Sequence, residues 1–186
     1  ADIGLPTMQN MYYDSTKNVI YFASPAKFII FDGKKFKVYT EKEGYKINGL
    51  EGQFITFIKA DSKGRIWIGS TTPFIDKKNN GGLTKFENGK FTVYDSKNFP
   101  LDNATNFIET PYGDLIFNSA GRNTQTREGS YVALFKNGVF KRIDESVGIN
   151  LQNAALYPLG NVTAIDKEGN TWLPCAGVVR ALEGSD

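Results

Sequence analysis

Histidine is absent from the 186 residues, and cysteine occurs once, at Cys175. The first absence excludes an imidazole general base, a Ser-His-Asp triad and any histidine-held metal. The second excludes an internal disulfide and a thiolate zinc cluster. No apolar run approaches the length of a membrane span, and residues 1–10 lack the basic start and apolar stretch of a signal peptide. Charge of one sign is missing too. Twenty-two Lys and Arg stand against 20 Asp and Glu, and a net charge of +2 gives no strong electrostatic hold on nucleic acid or an anionic membrane. Apolar residues make up 40% and charged residues 23%, ordinary for a globular chain and incompatible with wholesale disorder. What is abundant is rings and glycine: 14 Phe, 9 Tyr, 2 Trp and 19 Gly, a composition that favours sheet. The one helical candidate, 145–157, carries Gly148 in its middle and amounts to one or two turns at most.

The chain repeats itself. MYYDSTKNVIYFAS (11–24), IKADSKGRIWIGS (58–70), IETPYGDLIFNS (108–119) and AIDKEGNTWLPC (164–175) share one plan. An acidic residue (Asp14, Asp61, Glu109, Asp166) is followed by a polar turn ending in Asn18, Gly64, Gly113 or Gly169. A strand with a ring anchor follows, at Tyr21, Trp67, Phe117 or Trp172. Asn and Gly suit a turn position with positive φ, which most side chains resist. A second anchor follows each first one: FDGKKF (31–36), FENGKF (86–91), FKNGVF (135–140) and ALEGSD (181–186). Asp-Gly and Asn-Gly between β-rich flanks signal a two-residue hairpin of type I′. The first anchors are 46, 49 and 56 residues apart. A period near 50 with four strands per unit is the pattern of a β-propeller.

The expected fold is therefore all-β: propeller blades of four antiparallel strands over about 7–40, 54–95, 104–144 and 161–186. Three blades are complete and the fourth has three strands, in a partial propeller or a small four-bladed ring. The middle strands of each blade read as nearly continuous apolar runs, as suits strands covered on both faces. The last strands alternate, as with Phe36 and Val38 or Phe91 and Val93, as suits an outer strand with one wet face. An unfilled blade edge would leave backbone groups unpaired and invite self-association.

ADSKGRIWIGSTTP and GGLTKFENGKFTVYD resemble the repeats of two-component regulator propellers, and IDKEGNTWLPCAGVVRAL (165–182) matches again with Leu-Pro in place of Ile-Gly. The first and third units match loosely. The resemblance implies the periplasmic sensor region of a Bacteroidetes-type hybrid two-component system that senses oligosaccharides. With no histidine and no recognisable catalytic constellation, no enzymatic activity, cofactor or metal is expected.

Loop lengths point to a ligand face without that resemblance. The turns after the first and third strands are tight, whereas 71–80, 119–129, 41–53, 96–104 and 145–160 are long. Long loops on a rigid scaffold are where binding residues concentrate. Phe74, Asp76 and Lys77 in one loop, with Arg122, Asn123, Gln125 and Arg127 in another, combine a ring with planar polar groups, the chemistry of sugar recognition. The recurrent acids are expected to bond turn amides, the tryptophans to pack, and Cys175 to fill core. Two sequons, at Asn103 and Asn161, precede first strands and read as repeat features. Two other readings stay open: an enzyme of the propeller lyase or lactonase type using carboxylates and a metal, and a protein-interaction scaffold.

Overall fold

Alternation of apolar and polar residues between Asn or Gly turns builds strands throughout. The computed structural model describes residues 8–47, 54–71, 81–95, 97–101, 103–119, 132–143, 164–168, 170–172 and 181–182. Strands β1 (Asn10–Asp14), β2 (Val19–Ala23), β3 (Phe28–Phe31) and β4 (Phe36–Tyr39) form one antiparallel sheet in chain order. β5 (Phe54–Ala60), β6 (Ile66–Thr71), β7 (Gly81–Glu87) and β8 (Lys90–Tyr94) form the second. β9 (Asn106–Glu109), β10 (Leu115–Asn118), β11 (Val132–Lys136) and β12 (Val139–Arg142) form the third. β13 (Ala164–Ile165), β14 (Thr171–Trp172) and β15 (Ala181–Leu182) pair as a fourth sheet. These are β-propeller blades. The helical content of the described residues is one short 3-10 turn, Glu41–Glu43, with a capping box between Thr40 and Glu43. The segment 145–157 lies outside the described residues.

The chain divides into two compact units, Ala1–Asp95 and Ser96–Asp186. In the first unit, cross-strand register sorts the side chains of the first sheet into two faces. One face carries Tyr21, Ala23, Phe28 and Tyr39, all buried against Ile55, Ile58, Ile66, Ile68 and Phe86 of the second sheet. We call it the ring face, and the face it covers on the second sheet the aliphatic face. Phe28 sits at the centre, with ring centroids 5.0–6.0 Å from Tyr21, Tyr39, Tyr45, Phe86 and Phe91. The first strands of the two sheets are also bridged: the Gln9 side chain accepts from Ile55 N at 2.7 Å, and Asn10 Nδ2 donates to Thr56 O at 3.2 Å.

The turns keep the expected chemistry with one exception. Asn88-Gly89 and Asn137-Gly138 both have positive φ at both residues, as a type I′ hairpin requires. In the connection between β3 and β4 of the first sheet only Gly33 does, at +88°, within four residues. Asp32 closes it by accepting from Lys34 N and Lys35 N through Oδ1. The side chain there replaces the second left-handed residue. Gly169 and Gly184 lie outside the described residues.

The outer strand of the first sheet departs from the expected pattern. Phe36, Lys37 and Val38 are all exposed and only Tyr39 is buried, so alternation in β4 does not track burial. Within the sheet Phe36 stacks on Phe31.

Candidate functional site

Each blade begins with a turn locked by the side chain that opens it. Asp61 is buried, and its Oδ1 accepts from Lys63 N and Arg65 N, each at 3.0 Å. Its Oδ2 accepts from Trp67 Nε1 at 2.8 Å and pairs with Arg65 Nε. Asp166 repeats this with Glu168 N and Asn170 N on Oδ1, and Asn170 Nδ2 and Trp172 Nε1 on Oδ2. The Asn170 amide, then the indole and backbone N–H groups, hold the Asp166 carboxyl below the usual carboxylate range. In the first blade Asp14 accepts from Thr16 Oγ1 at 2.6 Å and from Thr16 N and Lys17 N, while Lys17 Nζ lies 3.2 Å away. The Thr16 hydroxyl is the main reason its carboxyl also titrates low. The carboxylates are thus taken up by local donors, as their recurrence predicts, and hold turns in place.

The third blade corrects the sequence alignment by one residue. Leu115 pairs with Glu109 as Ile66 pairs with Ala60, and five residues span each turn. Ile116 therefore stands where Trp67 stands, Phe117 where Ile68 stands, and Thr110 where Asp61 stands. Thr110 Oγ1 accepts from Asp114 N at 3.2 Å. The expectation for Glu109 and Phe117 fails for a physical reason: a one-residue slip moves a strand residue to the opposite face. The structure also explains the exchange. In the second and fourth blades the second carboxylate oxygen serves the indole N–H; in the third, where the anchor is isoleucine, a hydroxyl takes the turn amide.

The meander places the locked turns of each sheet at one end. The ends of β6 and β7 that flank 72–80, and of β10 and β11 that flank 120–131, lie at the other. Phe74, Asp76, Lys77, Arg122, Asn123, Gln125 and Arg127 lie outside the described residues, as do Cys175 and Asn161. Two of the connections read as open loops are instead packed down over their described lengths. Tyr45 is buried, donates to Ser24 O at 2.7 Å, and meets Phe91 at 5.3 Å; Ile47 is buried with it. Phe99 and Leu101 do the same in the third blade, with Phe99 4.9 Å from Phe140. Asn103 is buried and accepts from Ser119 Oγ at 3.0 Å, so its sequon is a structural feature. The sequence signal for these plugs was a ring five or six residues beyond the Tyr that ends the fourth strand, Tyr39 or Tyr94. In the first sheet the connection between β2 and β3 is tight, closed by Ser24 N on Lys27 O at 2.9 Å.

Burial raises the Tyr45 phenol far above its usual value, and Tyr21 and Tyr94 shift the same way for the same cause. Below the ordinary phenol pKa of about 10, folded and unfolded chains are equally protonated and the contribution is complete. Above it the unfolded chain releases a proton that the folded chain retains. Stability then falls by about 1.4 kcal/mol per pH unit for each such group. Denaturant midpoints measured from about pH 9 to 11.5 should drop, and the slope should be shallower by one proton in Tyr45→Phe. An identical slope would show that this phenol ionises freely in the folded chain.

The two component regulator propeller family matches residues 49–72, a stretch that contains β5, Asp61, Gly64 and Trp67. This is the family that the repeats resemble. No curated protein matches the chain. Among solved structures, one carrying the name gluconolactonase aligns with 89% of this chain and 56% of its own length, at 12% identity and a TM-score of 0.44. The chain thus spans little more than half of that protein. A luciferin-regenerating enzyme aligns with 89% of this chain and 68% of its own, at 12% identity and a TM-score of 0.43.

Proposed function

We propose that the chain is a non-enzymatic sensor segment of a two-component signalling protein, working in the periplasm and binding an oligosaccharide at the sheet ends opposite the locked turns. The match of residues 49–72 to the two component regulator propeller family carries this reading. Two structural points support it. The described carboxylates that open the blades spend their oxygens on local donors at the turn end, where they hold turns in place. The opposite end is where β6 and β7, and β10 and β11, lead into the long segments with Phe74, Asp76, Lys77, Arg122, Asn123, Gln125 and Arg127. There a ring would take the C–H face of a sugar, and guanidinium and amide groups its hydroxyls. Binding would bias the segment between states read by the rest of the signalling protein.

Calorimetric titration with a panel of plant and host oligosaccharides tests this. One saccharide should bind, and Phe74→Ala or Arg122→Ala should weaken it at least about tenfold, the loss of one stacking or charged hydrogen-bond contact. Val139→Ala, beside the hairpin that opens β12 at the turn end, should leave the affinity unchanged. Binding that neither loop substitution weakens would remove the site, and no binding to any saccharide would remove the ligand class.

A further inference from the structure

Two of the hairpins that build the blades carry a reactive pair of residues at their tips. Asn88-Gly89 joins β7 to β8 between the paired Glu87 and Lys90, and Asn137-Gly138 joins β11 to β12 between Lys136 and Val139. All four tip residues are exposed. The carbonyl carbon of an asparagine side chain is an electrophile, and the backbone nitrogen of the next residue can close a five-membered ring on it. Glycine, with no Cβ, leaves that nitrogen unhindered. Asn18 is the contrast within the same chain. Its φ of 52° matches theirs, but Val19 follows it, and its Oδ1 accepts from the Tyr13 hydroxyl. A β-branched side chain crowds the nitrogen that would attack.

The turn sets when that ring can close. Closure needs the next nitrogen to eclipse Cβ about the Cα–C bond. Asn88 and Asn137 have φ of 50° and 52°, as the first central residue of a type I′ turn requires, and ψ there is about +30°. At that ψ the next nitrogen lies almost opposite Cβ, and the ladder pairs on either side hold it there. We propose that Asn88 and Asn137 are sites of spontaneous backbone modification, gated by the opening of their hairpins. In the open hairpin the backbone nitrogen of Gly89 or Gly138 gives its proton to water and attacks Cγ. The side-chain nitrogen leaves as ammonia, taking a proton from water, and a cyclic imide remains. Water then opens either imide carbonyl, giving aspartate or isoaspartate. Isoaspartate routes the chain through the side-chain carbon and adds a backbone atom to a turn whose register has no room for it. The strands it loosens are β8 and β12, whose Phe91 and Phe140 pack on Phe86 and Phe135.

Peptide mapping of the whole chain after storage at mildly alkaline pH, in buffer and in urea, tests it. In urea the Asn88 and Asn137 peptides should each gain the mass difference between an amide and an acid. The products should separate into two forms, and a methyltransferase specific for isoaspartate should label one of them. Asn18 should lag both by at least about tenfold in urea, where only the following residue distinguishes it. In buffer, conversion at Asn88 and Asn137 should be at least about tenfold slower than in urea, because only the open fraction of each hairpin reacts. Asn88→Gln should silence its own peptide, since the longer side chain has a larger ring to close, and leave conversion at Asn137 unchanged. No conversion at either asparagine in urea would remove the sites. Equal rates in buffer and urea would remove the gate, and either result overturns the proposal.

Discussion

Asp61→Ala is expected to destabilise the protein by about 3–5 kcal/mol, the range for removing one partner of a buried charged network. The carboxylate has two N–H donors on each oxygen, from the Lys63 and Arg65 backbone, the Arg65 side chain and Trp67 Nε1. Alanine leaves the buried indole N–H without an acceptor and takes the acceptor from the part-buried turn amides, and an orphaned buried donor costs more than the bond was worth. Asparagine keeps Oδ1 for the two amides but turns an NH2 group toward two donors, so Asp61→Asn should cost about 1–3 kcal/mol. Trp67→Phe removes the N–H while keeping a ring. In that background the Asp61→Ala penalty should shrink by about 1 kcal/mol, a coupling that a double-mutant cycle in urea reads directly. The third blade is a natural version of the compensated pair, with Thr110 and Ile116. Additive penalties would show that the indole bond contributes nothing.

Phe28→Ala should cost about as much, roughly 3–5 kcal/mol for a fully buried ring replaced by a methyl group. Its neighbours come from both sheets of the first unit: Tyr21 and Tyr39 beside it, and Phe86 and Phe91 across the interface. Tyr45 closes the same cluster from the connecting segment. The cavity would thus open at the seam that holds one blade on the next, where strands of separate sheets cannot relax together to fill it. Phe28→Leu keeps most of the volume and should cost under about 1.5 kcal/mol. Urea denaturation followed by circular dichroism measures both, and equal midpoints for the two variants would mean that the ring is not the keystone described here.

The sheet plan was legible from short-range chemistry. Asn-Gly pairs and positively twisted glycines have few places to be other than hairpins, so Asn88-Gly89 and Asn137-Gly138 announced their turns and the strands between them. Regular spacing of these signals then gave four blades. Register was legible only where the anchor was distinctive. Tryptophan marked the second and fourth blades, but Leu115, Ile116 and Phe117 are all apolar, and only pairing with β9 showed which one takes the anchor position. The candidate sugar-binding residues were read from loop length and residue chemistry, and loop length did not foresee the packed side chains of the connections over 40–47 and 97–101. A ring within a polar segment can face water or fold back, and the choice depends on an apolar face that other strands provide.

By itself, then, the amino-acid order determined blade type, turn positions and the role of the recurrent aspartates, because each rests on interactions between residues a few positions apart. Tertiary structure alone decided which apolar faces are covered. Tyr13 and Ala60 hold equivalent places, as do Phe36 and Phe91. One set is exposed and the other partly buried against the core because burial belongs to the sheet that packs against a strand, and that neighbour lies dozens of residues away in the chain.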